Sequence, residues 1–354
     1  MGYIILYILL IGIFIIYNLS KKNKNIFIYI SILLLIIFSA IRFDVGFDYK
    51  MYYIMVLNNG NHFNIDVLYE LNRVEPLIRK IMELLKNLGF PQLFFILTSI
   101  VINYLICITL SKYSKNYFIS MFYYIAFPTF YLQSLGFVRQ WMAMSIVFYS
   151  YKYLEKKSKY FFLNLIAIGF HSSAILGILI YIFSKLNLKR KNRFYLVIIT
   201  VMVSEMLRNF IFMFARMNAQ YKIYIDKIIG EQGNKTIVLM LIICFISIIL
   251  EDRISISSRK AYNISYFSII FLILLNGYGH MSLRVGNYFF MFTIIYIGEL
   301  FLNQRKLKKS IIEIIFVIGC FMLLVGSLYF TKNPDKDPFL PYKTYFGKTL
   351  KDFK

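Results

Sequence analysis

The sequence predicts an all-α fold, a polytopic membrane helical bundle of about 12 transmembrane segments. Three observations carry that expectation. Of the 354 residues 59% are hydrophobic and only 16% are charged, and the mean hydropathy is +0.65. The apolar residues fall in runs long enough to cross a hydrocarbon layer of about 30 Å as helices. The runs are also too continuous for barrel strands, and a helix satisfies its own backbone polar groups inside lipid.

Spans are expected near 3–19, 26–41, 91–110, 118–132, 137–154, 160–171, 172–184, 194–213, 236–250, 262–278, 285–301 and 311–330. The first has neither a basic leader nor a small-residue cleavage site, so it is expected to persist as an uncleaved span. Cys107, Cys244 and Cys320 lie inside apolar runs with no metal spacing or pairing pattern and are read as packing residues. Neither a disulfide, a metal nor another cofactor is expected.

A net charge of +23 raises the question of a nucleic-acid partner, but the placement of the charge points elsewhere. Alternate short loops collect Lys21, Lys22 and Lys24; Lys112 and Lys115; Lys152, Lys156, Lys157 and Lys159; Lys185, Lys189, Arg190, Lys191 and Arg193; Arg253, Arg259 and Lys260; and Arg305, Lys306, Lys308 and Lys309. Against these stand Glu155, Glu251 and Asp252. By the positive-inside rule those loops are cytoplasmic and both termini are extracytoplasmic. The whole chain, 1–354, reads as a single membrane domain with an outer loop at 42–90 and an extracytoplasmic tail at 331–354.

Residues 160–184 decide the topology. They form either one tilted span of about 37 Å or a short hairpin broken at Gly169-Phe170-His171-Ser172. Basic residues on both flanks favour the hairpin, whose tip would lie in a protein-lined cavity below the outer surface.

On this topology the unusual polar residues gather toward the outer side: the cluster Arg42 to Tyr49, Arg139-Gln140, His171, Arg216, His280, Arg284 and the tail Pro341-Tyr342. Isolated arginines at span ends either snorkel to the interface or offer planar donor forks to phosphate oxygens. Several together suggest a phosphate or pyrophosphate group at the outer leaflet. Arg139 stands out because no acid lies near it in the sequence. Glu205 and Arg208, three apart in one span, are expected to neutralise one another.

The outer loop is near neutral, with Arg42, Lys50, Arg73, Arg79, Lys80 and Lys86 set against Asp44, Asp48, Asp66, Glu70, Glu75 and Glu83. Within it Glu75-Pro76 opens a helix, and Leu77, Ile78, Ile81, Leu84, Leu85 and Leu88 recur at helical spacing. That helix lies on the membrane surface or packs on the bundle.

Arg42-x-Asp44-Val45-Gly46-x-Asp48-Tyr49-x-x-Tyr52 followed by Glu75-Pro76 resembles the N-terminal signature of the EpsG family of bacterial exopolysaccharide membrane proteins. The resemblance continues, in order, through Phe137-Val138-Arg139-Gln140-Trp141-Met142-Ala143, Ala167-Ile168-Gly169-Phe170-His171-Ser172-Ser173-Ala174, Arg284-Val285-Gly286-Asn287-Tyr288 and Leu340-Pro341-Tyr342. Met142 departs from the small or β-branched residue expected there. The resemblance implies a Wzy-type role in the bacterial plasma membrane: polymerising polyprenyl-pyrophosphate-linked oligosaccharide repeat units into exopolysaccharide or capsular polysaccharide at the outer face.

Such a reaction needs cations for the leaving pyrophosphate and a base for the acceptor hydroxyl, but no nucleotide loop. The implied roles are pyrophosphate binding by Arg139, Arg284 and Arg42, and proton acceptance by His171 or Asp48, with Asp44 orienting Arg42. Tyr49, Gln140, Arg216 and His280 complete the candidate substrate-binding set. Asp44 and His171 also have structural readings, as a helix cap or salt partner of Arg42 and as a cap on broken-helix carbonyls. The partners implied are the lipid-linked oligosaccharide, the growing polysaccharide and membrane lipid, with a chain-length regulator left open. A transferase adding single sugars or a repeat-unit flippase are the rival roles.

Overall fold

The structure is a computed structural model that describes residues 1–58, 74–216, 235–302, 306–330 and 337–353. The loop charges Asp66, Glu70 and Arg73, the basic residue Arg305 and the start of the expected tail at 331 lie outside the described residues.

Helices dominate, and their bounds follow the apolar runs. The N-terminal part contains α1 (Gly2–Leu19), α2 (Lys24–Ala40), a two-residue strand β1 (Arg42–Phe43), α3 (Tyr49–Asn58), α4 (Pro76–Lys86) and α5 (Gln92–Tyr113). Then come α6 (Tyr117–Ala126), α7 (Tyr131–Gly136), α8 (Val138–Ser150), α9 (Lys157–Phe170) and α10 (Leu176–Ser184). The remainder is α11 (Arg190–Arg216), α12 (Lys235–Ile249), α13 (Arg259–Leu274), α14 (Gly279–Phe290), α15 (Thr293–Leu302), α16 (Lys306–Phe330) and β2 (Lys343–Thr344).

Among the described residues three helices are long and apolar enough to cross a membrane, namely Gly2–Leu19, Gln92–Tyr113 and Lys309–Tyr329, and a fourth span results if a bent pair is counted as one. Lys24–Ala40, Tyr117–Ala126, Ser172–Ser184 and Lys235–Ile249 are apolar but shorter. The helical membrane architecture is thus in place, with long helices and shorter apolar ones among them.

Two of the expected spans are interrupted. The run at 118–132 stops at Ala126 and resumes at Tyr131. Pro128 lacks an N–H and disfavours helical backbone at the residue before it. The run at 285–301 begins earlier, at Gly279, and bends by 67° between α14 and α15. There the ladder shifts to three-residue bonds, Phe292 N to Phe289 O and Ile294 N to Met291 O, both 3.2 Å. The break expected around His171 is present: α9 ends at Phe170, His171 is extended at φ −160° and ψ 127°, and a short 3₁₀ turn, Ser172–Ile175, precedes α10.

The chain forms two compact units. The first comprises Met1–Lys112, Tyr117–Ile175 and Glu313–Lys354. Its core is aromatic, with Trp141, Tyr124, Phe122 and Tyr131 all buried. Tyr7 donates to Val317 O at 2.7 Å, fixing α1 on α16. Since lipid tails are as apolar as the side chains, helices in such a unit hold together by packing and by hydrogen bonds of this kind.

The tail closes back on the N-terminal part of the same unit. β2 pairs antiparallel with β1, Arg42 opposite Thr344, and Gly46 N donates to Pro338 O at 2.6 Å. Gly46 sits at φ +111°, where an added Cβ would lie 2.2 Å from Leu135 O, so only glycine fits. In α4, Ile78, Met82 and Leu85 are buried while Leu77 and Leu84 are exposed, as is Leu88 just beyond the helix. Its apolar arc is thus wider than its protein contact.

The second unit comprises Tyr113–Asn116 and Leu176–Ile312. Arg193 is buried between Tyr262 and Tyr266, 4.3 and 4.9 Å from the ring centres, and donates to Asn263 Oδ1 at 2.5 Å. Glu299 is buried where it accepts from Ser255 N at 2.6 Å and Ser258 Oγ at 2.6 Å. Arg208 gives its donors to Asn276 O at 3.0 Å and Ser204 O at 3.4 Å. Its expected neutralisation by Glu205 is replaced by backbone carbonyls, and Glu205 is exposed. Cys244 of this unit and Cys107 and Cys320 of the first are buried thiols.

Candidate active site

The first unit builds a polar cluster around Glu75. Pro76, with its fixed φ and no N–H, starts α4 and leaves Glu75 as the extended residue before it. Helix α8 opens after Phe137, which places Arg139 in its first turn. Arg139 Nη1 donates to Glu75 Oε2 at 2.9 Å, and Arg139 Nε donates to the Tyr52 hydroxyl of α3 at 3.1 Å. The acid absent from the sequence around Arg139 is thus supplied from 64 residues away.

The break after α9 brings in the third component. Ser172 N donates to Glu75 Oε1 at 3.3 Å, and His171 Nδ1 lies 3.9 Å from the same oxygen. Ser173 fixes the ring: its N–H donates to His171 Nδ1 at 3.2 Å and its Oγ lies 2.8 Å from that nitrogen. Because a backbone N–H only donates, Nδ1 carries the lone pair, and in the neutral ring the proton resides on Nε2. The side chains of Arg139, Glu75 and His171 are 19%, 14% and 21% exposed, so the cluster is sheltered yet reachable.

Burial pushes the Tyr52 phenol up to about 12, with Arg139 opposing and Asp48 reinforcing the shift. Asp48, in the turn before α3, is therefore electrostatically part of the cluster. Residues 44–48 form a turn, with Asp44 at φ +50° and Gly46 at φ +111°.

Arg42 is turned inward. It is buried and donates to Val45 O at 3.3 Å, Leu135 O at 3.3 Å, Ser99 Oγ at 3.2 Å and Ser39 O. Phe95 lies 5.1 Å beneath it. Burial lowers its pKa, and Tyr49 and Tyr131 offset part of that shift. Tyr49 is tied in beside it, donating to Arg42 O at 3.1 Å and Gln92 Oε1 at 2.6 Å. Protein acceptors thus occupy the Arg42 fork and orient it, which makes it a brace between α2, the following turn and the end of α7.

Gln140 is buried in α8. The other candidates belong to the second unit. Arg216 is the last residue of α11, His280 is exposed at the start of α14, and Arg284 is one turn further along the same helix. The structure therefore joins Arg139 and His171 to Glu75 and Tyr52, with the Asp48 charge acting on Tyr52, and joins Arg42 and Tyr49 in a separate brace. In the sequence Glu75 stands out as a helix opener, a loop acid and part of the family signature, and Tyr52 as part of that signature, with neither marked as a site residue. The unpaired look of Arg139 was the available signal that an acid had to come from elsewhere.

The fold and this cluster define an integral membrane helical protein with a partly sheltered ionic site. The EpsG family model matches residues 25–344, and the chain belongs to the EpsG family. No curated protein and no solved structure matches the chain.

Proposed function

We propose that the protein polymerises polyprenyl-pyrophosphate-linked oligosaccharide repeat units into exopolysaccharide or capsular polysaccharide at the outer face of the bacterial plasma membrane. The observation that carries this is the Arg139 cluster in a chain of this family. Its guanidinium is held at two donors by Tyr52 and Glu75, which fixes the plane of the fork, and the first turn of α8 adds a helix dipole that favours an anion. A leaving pyrophosphate is the anion this chemistry produces.

In the reaction the acceptor sugar hydroxyl attacks the anomeric carbon of the donor, and the bond from that carbon to the pyrophosphate breaks. Arg139 stabilises the developing charge. The Asp48, Glu75 and His171 cluster handles the acceptor proton. Arg42 and Tyr49 act as positioning residues, holding the turn that precedes α3.

The wider reading has about twelve crossings with short helices among them, both termini outside, and the exposed Leu84 side of α4, continued by Leu88, at the membrane interface. The test is the pool of lipid-linked repeats in cells lacking the protein. The expected result is loss of polymer and accumulation of complete single repeats exposed outside, restored by wild type and not by Arg139→Ala. Repeats trapped inside would identify a flippase, truncated repeats a transferase adding single sugars.

A further inference from the structure

Resting on the polymerase reading, we infer that Glu75 is the proton acceptor of the reaction and that His171 serves as a hydrogen-bond donor through Nε2. His171 is poorly placed to take a proton, because Ser173 N–H already occupies the Nδ1 lone pair at 3.2 Å, with Ser173 Oγ 2.8 Å away. A proton entering at Nδ1 would meet that N–H head on.

Glu75 meets the opposite condition. Its carboxylate accepts Arg139 Nη1 at 2.9 Å on one oxygen and Ser172 N at 3.3 Å on the other. Among the described residues these donors take two of a carboxylate's roughly four acceptor positions, which leaves room for a sugar hydroxyl. Its charge carries the second argument. A carboxylate beside the arginine that receives a phosphate weakens phosphate binding by like-charge repulsion, so a neutral acceptor such as glutamine would brace Arg139 at less cost to affinity. Proton transfer is what requires the carboxylate.

In the step, the acceptor O–H proton passes to Glu75 as the new bond from oxygen to the anomeric carbon forms. The electron pair of the breaking bond leaves on the pyrophosphate, whose charge Arg139 balances. Glu75 then returns the proton to water. No oxidant, metal or nucleotide enters the balance.

The experiment compares wild type, Glu75→Gln and Glu75→Asp full-length protein. Polyprenyl pyrophosphate binding and thermal melting are measured in detergent, and polymer is measured in complemented cells. Glu75→Gln is expected to melt like wild type and bind the pyrophosphate as tightly or more tightly, while polymer formation falls by about 10²-fold or more. Glu75→Asp, which keeps the acid, is expected to retain part of the activity. Glu75→Gln making polymer near the wild-type level would overturn the assignment, as would loss of pyrophosphate binding in step with activity, which would mark Glu75 as a brace for Arg139. Failure of the polymerase reading is separately visible, as inward-facing or truncated repeats in cells lacking the protein.

Discussion

At Arg139 one planar guanidinium divides its donors between a phenol and a carboxylate, and that division makes lysine a poor substitute. An ammonium reaching Glu75 leaves Tyr52 without its donor and offers no fixed fork to a phosphate. Arg139→Lys is therefore expected to abolish most polymer formation while the protein still inserts and melts normally, as read by polymer yield against detergent-extracted protein. Tyr52→Phe removes one hydrogen bond worth about 1 kcal/mol, so a several-fold loss of polymer is expected. The raised Tyr52 pKa also has a sign. The folded state holds this proton more tightly than the unfolded state, so the associated stability is intact below about 10 and is lost as pH rises toward about 12. Melting across that range should fall less steeply in Tyr52→Phe. Arg139 and His171 were legible in the sequence because polar groups in apolar surroundings are conspicuous. Glu75 was not, because its contacts to Arg139 and Ser172 span 64 and 97 residues, beyond any local periodicity. The partners of Arg42 were hidden for a related reason. At the end of an apolar run, an arginine bound by carbonyls and one open to an anion look alike in sequence.

The elements themselves were largely readable, since a helix in an apolar setting is written as a run of apolar residues. α1, α2, α5 and α12 fall within a few residues of the expected spans. The interruption after Ala126 had a visible cause in Pro128. The bend between α14 and α15 had none, because it arises from a local change of hydrogen-bond ladder. The turn before α3 tests how tightly the elements are locked. Gly46→Ala forces a Cβ within 2.2 Å of Leu135 O at φ +111°, a backbone clash that no rotamer relieves. A loss of about 3 kcal/mol or more is expected, against about 1 kcal/mol for Gly89→Ala, where φ is +61° and nothing lies within 4 Å. Thermal melts of the two variants give the comparison. Gly169 lies against Leu77, 2.6 Å from an added Cβ. Gly169→Leu is expected to push α4 from α9 and lower polymer yield with little loss of folded protein.

For the whole molecule, charge placement gave an orientation that helix lengths alone do not. The three native cysteines are buried, so single cysteines report sidedness cleanly. Lys157→Cys and Phe346→Cys are expected to label from opposite sides of the membrane, Phe346→Cys from outside, and labelling of both from one side would reverse the topology on which an outer-face site depends. The most direct test of the central claim is reconstitution: purified full-length protein in liposomes, supplied with the lipid-linked repeat unit extracted from cells lacking the protein. A ladder of lengthening glycan with release of polyprenyl pyrophosphate is expected, absent with Arg139→Ala. Intact repeat units with no ladder, or a ladder unchanged by Arg139→Ala, would contradict it.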